Sequence, residues 1–479
     1  MKPHPTSSAR ALSLSALVLL ALAGCAVSDT DSGADSEVSG DTGVSAEEPV
    51  GEAAESLVTD CPWTAPAIDV RRELIINDLS VVNDPCRTSW TAPVCAAGTL
   101  GAWTFGKLMT SMAGSRSAAQ FVAEWLHNWE VGATVNGFNV PPRPGIRPQL
   151  IDKWLTASGC AAGAPIVGAG ACALDLKKAP FRLLAITNRV DIGGTVGSGA
   201  PGEARFVFGA FDLNNGAPLP ATVILEYSLP TATSTSGWAS LFHGLGSVAL
   251  PSPAFNTQLQ GITDKFAAAG VQAGNPNLGS AIGQVRTNEI AFGPVWEMRE
   301  QRLSLVSTSS DELLKLTTVK QTPANNLNNA PALNNWLGSS GVQASILAET
   351  DTVPASFNGA PILGGAVTSP PGFFWRGPLS ADARHLFGLG TCNGCHTAET
   401  HTNFTHIAPR GPNQPAPLSP FLAVSAAPAA GNKLPASVFT FTDPQGVTRK
   451  YNEPWRRVCE MRRLLNGVAA PWTKPSGGH

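Results

Sequence analysis

The sequence predicts an α+β fold with a helical N-terminal part, a β-rich body on an antiparallel sheet and a small α-helical C-terminal module. Three observations predict it. Apolar residues recur at helical spacing between Ser117 and Thr156. Five β-branched and aromatic runs follow between Phe181 and Val319, separated by Gly, Pro and Asn clusters. Beyond Pro378, two helical patterns flank Thr391-Cys392-Asn393-Gly394-Cys395-His396.

In chain order, Lys2 and Arg10 precede an apolar run from Ala11 to Ala23, which is too short for a mature membrane span and reads as a signal peptide over 1–24. Its end, Leu22-Ala23-Gly24-Cys25, resembles the lipobox of bacterial lipoproteins. That resemblance implies lipidation of Cys25 and anchorage to a membrane without a transmembrane helix. The alternative is a plain secretory signal with an incidental cysteine. Ala26, where an inner-membrane retention Asp would stand, favours the outer membrane, facing the periplasm or the surface.

Residues 26–60 contain ten acids, no Lys or Arg and almost nothing large and apolar. They predict a disordered acidic tether, because so little apolar surface cannot offset the entropy of ordering. Without the tether and the leader, 30 basic and 25 acidic residues remain. That mild excess gives no argument for nucleic acid, and a positive face would suit an acidic redox partner protein. Apart from Cys25, Cys392 and Cys395, the cysteines are Cys61, Cys86, Cys95, Cys160, Cys172 and Cys459, an even set for an oxidising compartment. Cys86 with Cys95 and Cys160 with Cys172 are the local pairs, leaving Cys61 for Cys459, although six cysteines allow fifteen connectivities.

The helical region, 61–180, carries amphipathic patterns over Ser117–Glu130 and Gln149–Thr156, with His127 read as a packed or partly exposed helix histidine rather than a ligand. The β-rich body, 181–370, offers strands at Phe181–Val190, Ala204–Ala210, Thr222–Leu229, Gln284–Trp296 and Leu313–Val319, with helices near Trp238–His243 and Phe255–Ala268. Polar residues interrupt these strands: Asn188, Arg189, Asp191, Glu203, Arg205, Glu226, Asn288, Glu289, Glu297 and Arg299. In a one-faced sheet they point outward, which is the leading expectation; internal ion pairs and a substrate pocket are the other two. No nucleophile elbow, phosphate loop, dinucleotide fingerprint or His-Glu-x-x-His helix is present. Asparagine-rich Gln321–Trp336 predicts a loop, and Ser369-Pro370-Pro371-Gly372 a break.

The C-terminal module, 371–479, contains Cys392-x-x-Cys395-His396, the c-type haem attachment pattern. Both thiols would add to the vinyls of one covalent haem c, and His396 would be the proximal iron ligand. A helix around Ser380–Gly388 leading into the motif and a helix over Glu453–Leu465 resemble the class I cytochrome c arrangement. No methionine lies between the motif and the last helix; His406 and Met461 are the candidates for the distal position, and an open position is the third alternative. A zinc site of Cys392, Cys395, His401 and His406, or a Cys392–Cys395 disulfide, are the rival readings. Ile186–Asp191, Gly202–Phe208 and Cys392–Arg410 together resemble a group of uncharacterised bacterial envelope proteins that end in such a segment.

The function expected is one-electron transfer by an envelope-anchored c-type haem protein. An oxidoreductase with Arg189, Glu203, Arg205 or Glu226 converging on a pocket is one alternative. A non-catalytic surface lipoprotein is the other.

Overall fold

The computed structural model describes residues 61–193, 200–305, 312–423 and 439–468. The predicted signal peptide, Cys25 and the acidic tether lie outside the described residues. All described residues belong to one compact unit, Glu52–His479.

Its centre is an eight-stranded sheet. Ile75–Ile76 (β1), Phe181–Arg189 (β2), Glu203–Phe211 (β3), Pro218–Ser228 (β4), Ile282–Glu289 (β5) and Trp296–Leu305 (β6) lie side by side, each antiparallel to the next. Glu312–Thr317 (β7) and Ala366–Ser369 (β8) share the outer edge of β6, β7 on Glu300–Leu305 and β8 on Trp296–Arg299. The predicted strand over Gln284–Trp296 covers most of β5 and the turn after it and reaches only the first residue of β6, a strand the sequence reading did not give, because the chain turns between Glu289 and Trp296. Predicted loop Gln321–Trp336 contains the helix Pro331–Leu337, with Pro331 at its first position, where a missing N–H costs nothing.

The helices predicted from sequence are present, and Phe105–Met112 joins them unpredicted. Phe105–Met112 (α1) is capped by the Thr104 hydroxyl, which accepts the Lys107 N–H. Ala118–Glu130 (α2) and Asp152–Ala157 (α3) complete the N-terminal set. Thr235–His243 (α4) and Pro253–Ala267 (α5) lie between β4 and β5; Ala381–Leu389 (α6) precedes the Cys-x-x-Cys-His segment. Glu453–Leu465 (α7) ends the described chain's regular structure. Between α6 and α7 the C-terminal part also carries a hairpin, Phe439–Thr442 (β9) with Thr448–Tyr451 (β10), so it is not wholly helical. Among the described residues no helix is long and apolar enough to cross a membrane.

One face of the sheet is mostly hydrocarbon, with a buried ion cluster of Arg143, Glu289, Glu297 and Arg299 toward β5 and β6. Phe208 meets Phe105 of α1 edge-on at 5.8 Å, while Phe206 and Tyr227 pack on Phe266 of α5 at 6.0 and 5.5 Å. Each such ring fully buried contributes about 1.5–3 kcal/mol.

The opposite face is polar and equally buried. Register places Arg205 between Thr187 and Glu226, then Ile224 opposite Arg286 and Arg286 opposite Glu300, so alternate residues of five strands share this side. The leading expectation for the polar strand residues, exposure to solvent, is overturned: Arg189, Glu203, Arg205, Glu226 and Asn288 are all buried here, together with Arg286 and Glu300, and so are Glu289, Glu297 and Arg299 on the other face. The sheet is two-faced, and its polar side is covered by residues 392–423 and α7. Gly209 marks the close approach, since a Cβ there would come within 3.1 Å of Pro409.

The disulfides Cys86–Cys95 and Cys160–Cys172 close short loops, and Cys61–Cys459 joins the start of the described chain to α7. The main core accordingly runs from Cys61 to Leu464 and includes residues of all three predicted regions. A second cluster around Trp336, Trp375 and Phe387 spans residue 371, where the module boundary was expected.

Candidate functional site

Helix α6 delivers the chain to Thr391, and the Cys-x-x-Cys-His residues leave it through a π-turn, Gly394–Ala398. The turn is held from behind: the Trp375 indole donates to both Thr391 Oγ1 and Asn393 Oδ1 at 2.9 Å, and the Asn393 amide donates to the Thr368 carbonyl. Gly394 is obligatory here, because a Cβ would collide with the Gly388 carbonyl. With its back fixed, the turn presents Cys392, Cys395 and His396 to the polar face of the sheet.

The three side chains face different neighbours. Cys392 packs among Trp296, Met298, Val319 and Val367, and its N–H donates to Thr322 Oγ1 at 2.8 Å. The Cys395 sulfur lies 3.4 Å from His406 Nε2, whose ring is fixed on its other side by the Ser419 hydroxyl at 2.9 Å. The His396 Nδ1–H donates to the Phe404 carbonyl at 2.8 Å. The Asn288 amide donates to that same carbonyl at 2.9 Å, the Trp296 indole donates to Asn288 Oδ1 at 2.6 Å, and the Trp296 ring stacks on His396. Phe404 has a left-handed backbone, φ 65°, unusual for an aromatic residue, and two hydrogen bonds to its carbonyl offset that strain. The result is a histidine with its tautomer set, Nδ1 protonated and the lone pair on Nε2, as in metal-ligating histidines braced by a carbonyl.

Between cover and sheet lies a slot. Ile75, Thr187, Arg205, Ile224, Arg286 and Met298 are among its sheet-side wall, one from each of β1 to β6; Cys395, His396, His406, Phe421, Glu453 and Arg457 are among the cover. The five spacings between six strands, about 4.8 Å each, span about 24 Å. The enclosed volume is only about 80 Å³. The space is therefore broad and thin.

Its charges are matched. Glu203 pairs with Arg205 at 2.7 Å, Arg286 with Glu226 at 3.4 Å and Glu300 at 3.1 Å, and Arg457 with Glu453 at 2.8 Å. Burial alone would raise Glu226, but Arg205 and Arg286 hold it below the usual carboxylate value. Burial pushes the Cys392 thiol up to about 11 and Cys395 further, and pulls His396 down to about 4 and His406 well below its ordinary value. At neutral pH these four groups are uncharged.

At the slot's end, Asp191 accepts from Arg189 at 2.9 Å and from Arg456 of α7 at 2.9 Å, and Arg456 also pairs with Glu453 at 2.7 Å. Burial would raise Glu453, yet Arg456 and Arg457 lower it to about 2; Asp191 is lowered too, against burial, chiefly by Arg189 and Arg456. Folded-state values below the unfolded ones give stability that is complete above about pH 4.5 and lost as the pH falls toward 2. Denaturant melts from pH 6 to 2 are therefore expected to show a steep acid loss, made shallower by Glu453→Gln. An equal slope in that variant would remove Glu453 from the linkage.

No family model, curated protein or solved structure matches this chain. The site is thus read from its own geometry.

Of the residues predicted from sequence, Cys395, His396, His406, Arg205 and Glu226 line one slot, with Cys392 immediately behind it and Glu203 and Arg189 paired at its margin. His406 belongs to the same covering segment as His396, with ring centroids 4.7 Å apart. Met461 is buried outside the slot lining, its sulfur 3.9 Å from the Asn188 amide. His401 is exposed, its ring beside Phe441 of the hairpin. Among the described residues the one group of three metal-capable side chains with ligand atoms within 4.8 Å of one another is His385, Glu399 and Asp443, which does not include Cys392, Cys395, His401 or His406. Arg286, Met298, Glu453 and Arg457 were missed as site residues. Arg286 was signalled only as a polar position in phase with those of the neighbouring strands, while apolar Met298 and the α7 residues Glu453 and Arg457 carried no such signal.

Proposed function

We propose that this protein is a one-electron carrier in which Cys392 and Cys395 hold a covalent haem and His396 is the proximal ligand. One observation carries the reading. Among the described residues six cysteines are joined in disulfides, while Cys392 and Cys395, three apart and followed by histidine, both remain buried thiols. In an oxidising compartment two such thiols call for an occupant. The donor set fits haem c: two protonated sulfurs able to add to vinyls, and a neutral imidazole with its lone pair on Nε2. The breadth of the slot suits a flat group, and its walls would part to admit one, since about 80 Å³ equals only a few water molecules.

When bound, haem supplies the one-electron couple. The chain's residues do the rest. Asn288 and Trp296 fix the His396 ring through the Phe404 carbonyl, and the ion pairs of Arg205, Glu226, Arg286, Glu453 and Arg457 give the slot a fixed field that biases the charge change. A substrate site is less well supported, because Arg189, Glu203, Arg205 and Glu226 are matched to one another and to their neighbours. Envelope anchorage through a lipidated Cys25, and exchange with a redox partner protein, complete the proposal.

The test is haem staining on denaturing gels after expression in a host with c-type maturation machinery. Wild-type protein is expected to retain stain, and Cys392→Ala/Cys395→Ala to lose it. Colourless wild-type protein from a host that matures a control cytochrome overturns the proposal.

A further inference from the structure

The chain contains two tyrosines, Tyr227 and Tyr451, and they differ in one respect. The Tyr227 hydroxyl is buried with no hydrogen-bond partner among the described residues. Tyr451, at the end of β10, donates its hydroxyl to His385 Nε2, and the opposite nitrogen of that ring, Nδ1, donates to Glu399 Oε2 at 2.6 Å. The direction follows from the partners. Glu399, bound by two Arg384 nitrogens, only accepts, so Nδ1 carries the hydrogen; burial lowers the His385 pKa and keeps the ring neutral, leaving Nε2 as acceptor for the phenol. His385 and Glu399 have no solvent exposure.

Aromatic rings join this triad to the slot. His406 lies 5.4 Å from Phe421, a residue of the slot wall, and Phe421 lies 5.4 Å from Tyr451. On the other side Tyr451 stacks with Phe441 at 6.1 Å and Phe441 with partly exposed Phe439 at 5.4 Å, both on β9. The series leads from the interior to the outer hairpin.

We propose that Tyr451 is a proton-coupled one-electron site, a station for oxidising equivalents passing between the slot and the hairpin. A one-electron oxidant of higher potential than the phenol, at either end, removes one electron from Tyr451. The phenolic proton moves along the existing hydrogen bond to His385 Nε2, and the imidazolium formed is held against Glu399. An outer donor then returns the electron to the phenoxyl oxygen, and His385 returns the proton. A buried phenol without such an acceptor would become an uncompensated cation on oxidation, which is the situation of Tyr227. The step requires an oxidant of this class and no particular cofactor, so it stands apart from the haem reading.

The experiment is flash-quench oxidation of the full purified chain with a ruthenium tris-bipyridine photo-oxidant and persulfate, read by electron paramagnetic resonance. A neutral tyrosyl radical is expected in wild type and in Tyr227→Phe, and its loss in Tyr451→Phe. His385→Gln is expected to lower the radical yield about tenfold, as weakening the proton acceptor by about 1.4 kcal/mol would. Circular dichroism and melting of Tyr451→Phe, which keeps the ring and its packing, verify the fold. A radical that survives Tyr451→Phe, one that disappears in Tyr227→Phe, or a wild type that yields no tyrosyl signal overturns the proposal.

Discussion

Replacing Arg286 by methionine is expected to lower the unfolding free energy by about 3–5 kcal/mol, the cost of removing one member of a buried ion pair. Arg286 sits in the middle of the polar face with Glu226 and Glu300 on either side, all three about 1% exposed or less. Burial disfavours its charge, and the two carboxylates more than compensate, raising its pKa. Removing the guanidinium leaves Glu226 to Arg205 at 3.6 Å and the Gln284 amide, and Glu300 to Arg302. The partner charges, rather than the lost bond, cause most of the damage. The double variant Arg286→Met/Glu300→Gln should therefore be more stable than Arg286→Met. Urea denaturation decides it: a loss under about 1 kcal/mol is what a solvent-exposed pair gives, and would mean that water reaches this face.

The second large effect is expected at Cys61–Cys459. The bond closes a loop with a sequence separation of 398 and ties α7 to the opposite end of the described chain. Breaking it with Cys61→Ala/Cys459→Ala is expected to cost about 2–5 kcal/mol, whereas the short Cys86–Cys95 loop restrains the unfolded chain less. Because α7 contributes Glu453 and Arg457 to the slot, the same variant, produced without haem maturation so that Cys395 stays a free thiol, should expose Cys395 to maleimide before global unfolding. Thiol labelling that appears only with the global transition would show that the helix docks without the bond.

Much of the fold was legible because packing and periodicity agreed. The apolar stripe of α2, with Phe121, Val122, Trp125, Leu126 and Trp129 buried, and the alternation of Phe206 and Phe208 in β3 led to the observed elements within a few residues. The turn between β5 and β6 was harder to see, since Ile290-Ala291-Phe292 continues the apolar run through it. The second covered face was not legible. Alternation reports which residues share a side, and a row of Arg and Glu normally means that the side meets water. Only a segment nearly 200 residues beyond β3 makes it an interior, and no local pattern in β3 carries that information. For the same reason the motif residues were found and most of their partners were not. Cys392, Cys395 and His396 are a local signature, while Asn288, Met298 and Arg457 reach them only through tertiary structure.

The layering has a consequence for how the chain is made. The strands emerge from the ribosome well before residues 392–423 and α7, so for much of synthesis the sheet has only its first cover. What it then shows to water is Arg205, Glu226, Arg286 and their neighbours, not leucine and phenylalanine. A nascent intermediate of that kind is hydrated, unlike the sticky half-sandwich an apolar second face would leave. The ions that are costly to bury in the finished protein thus protect it while it is unfinished.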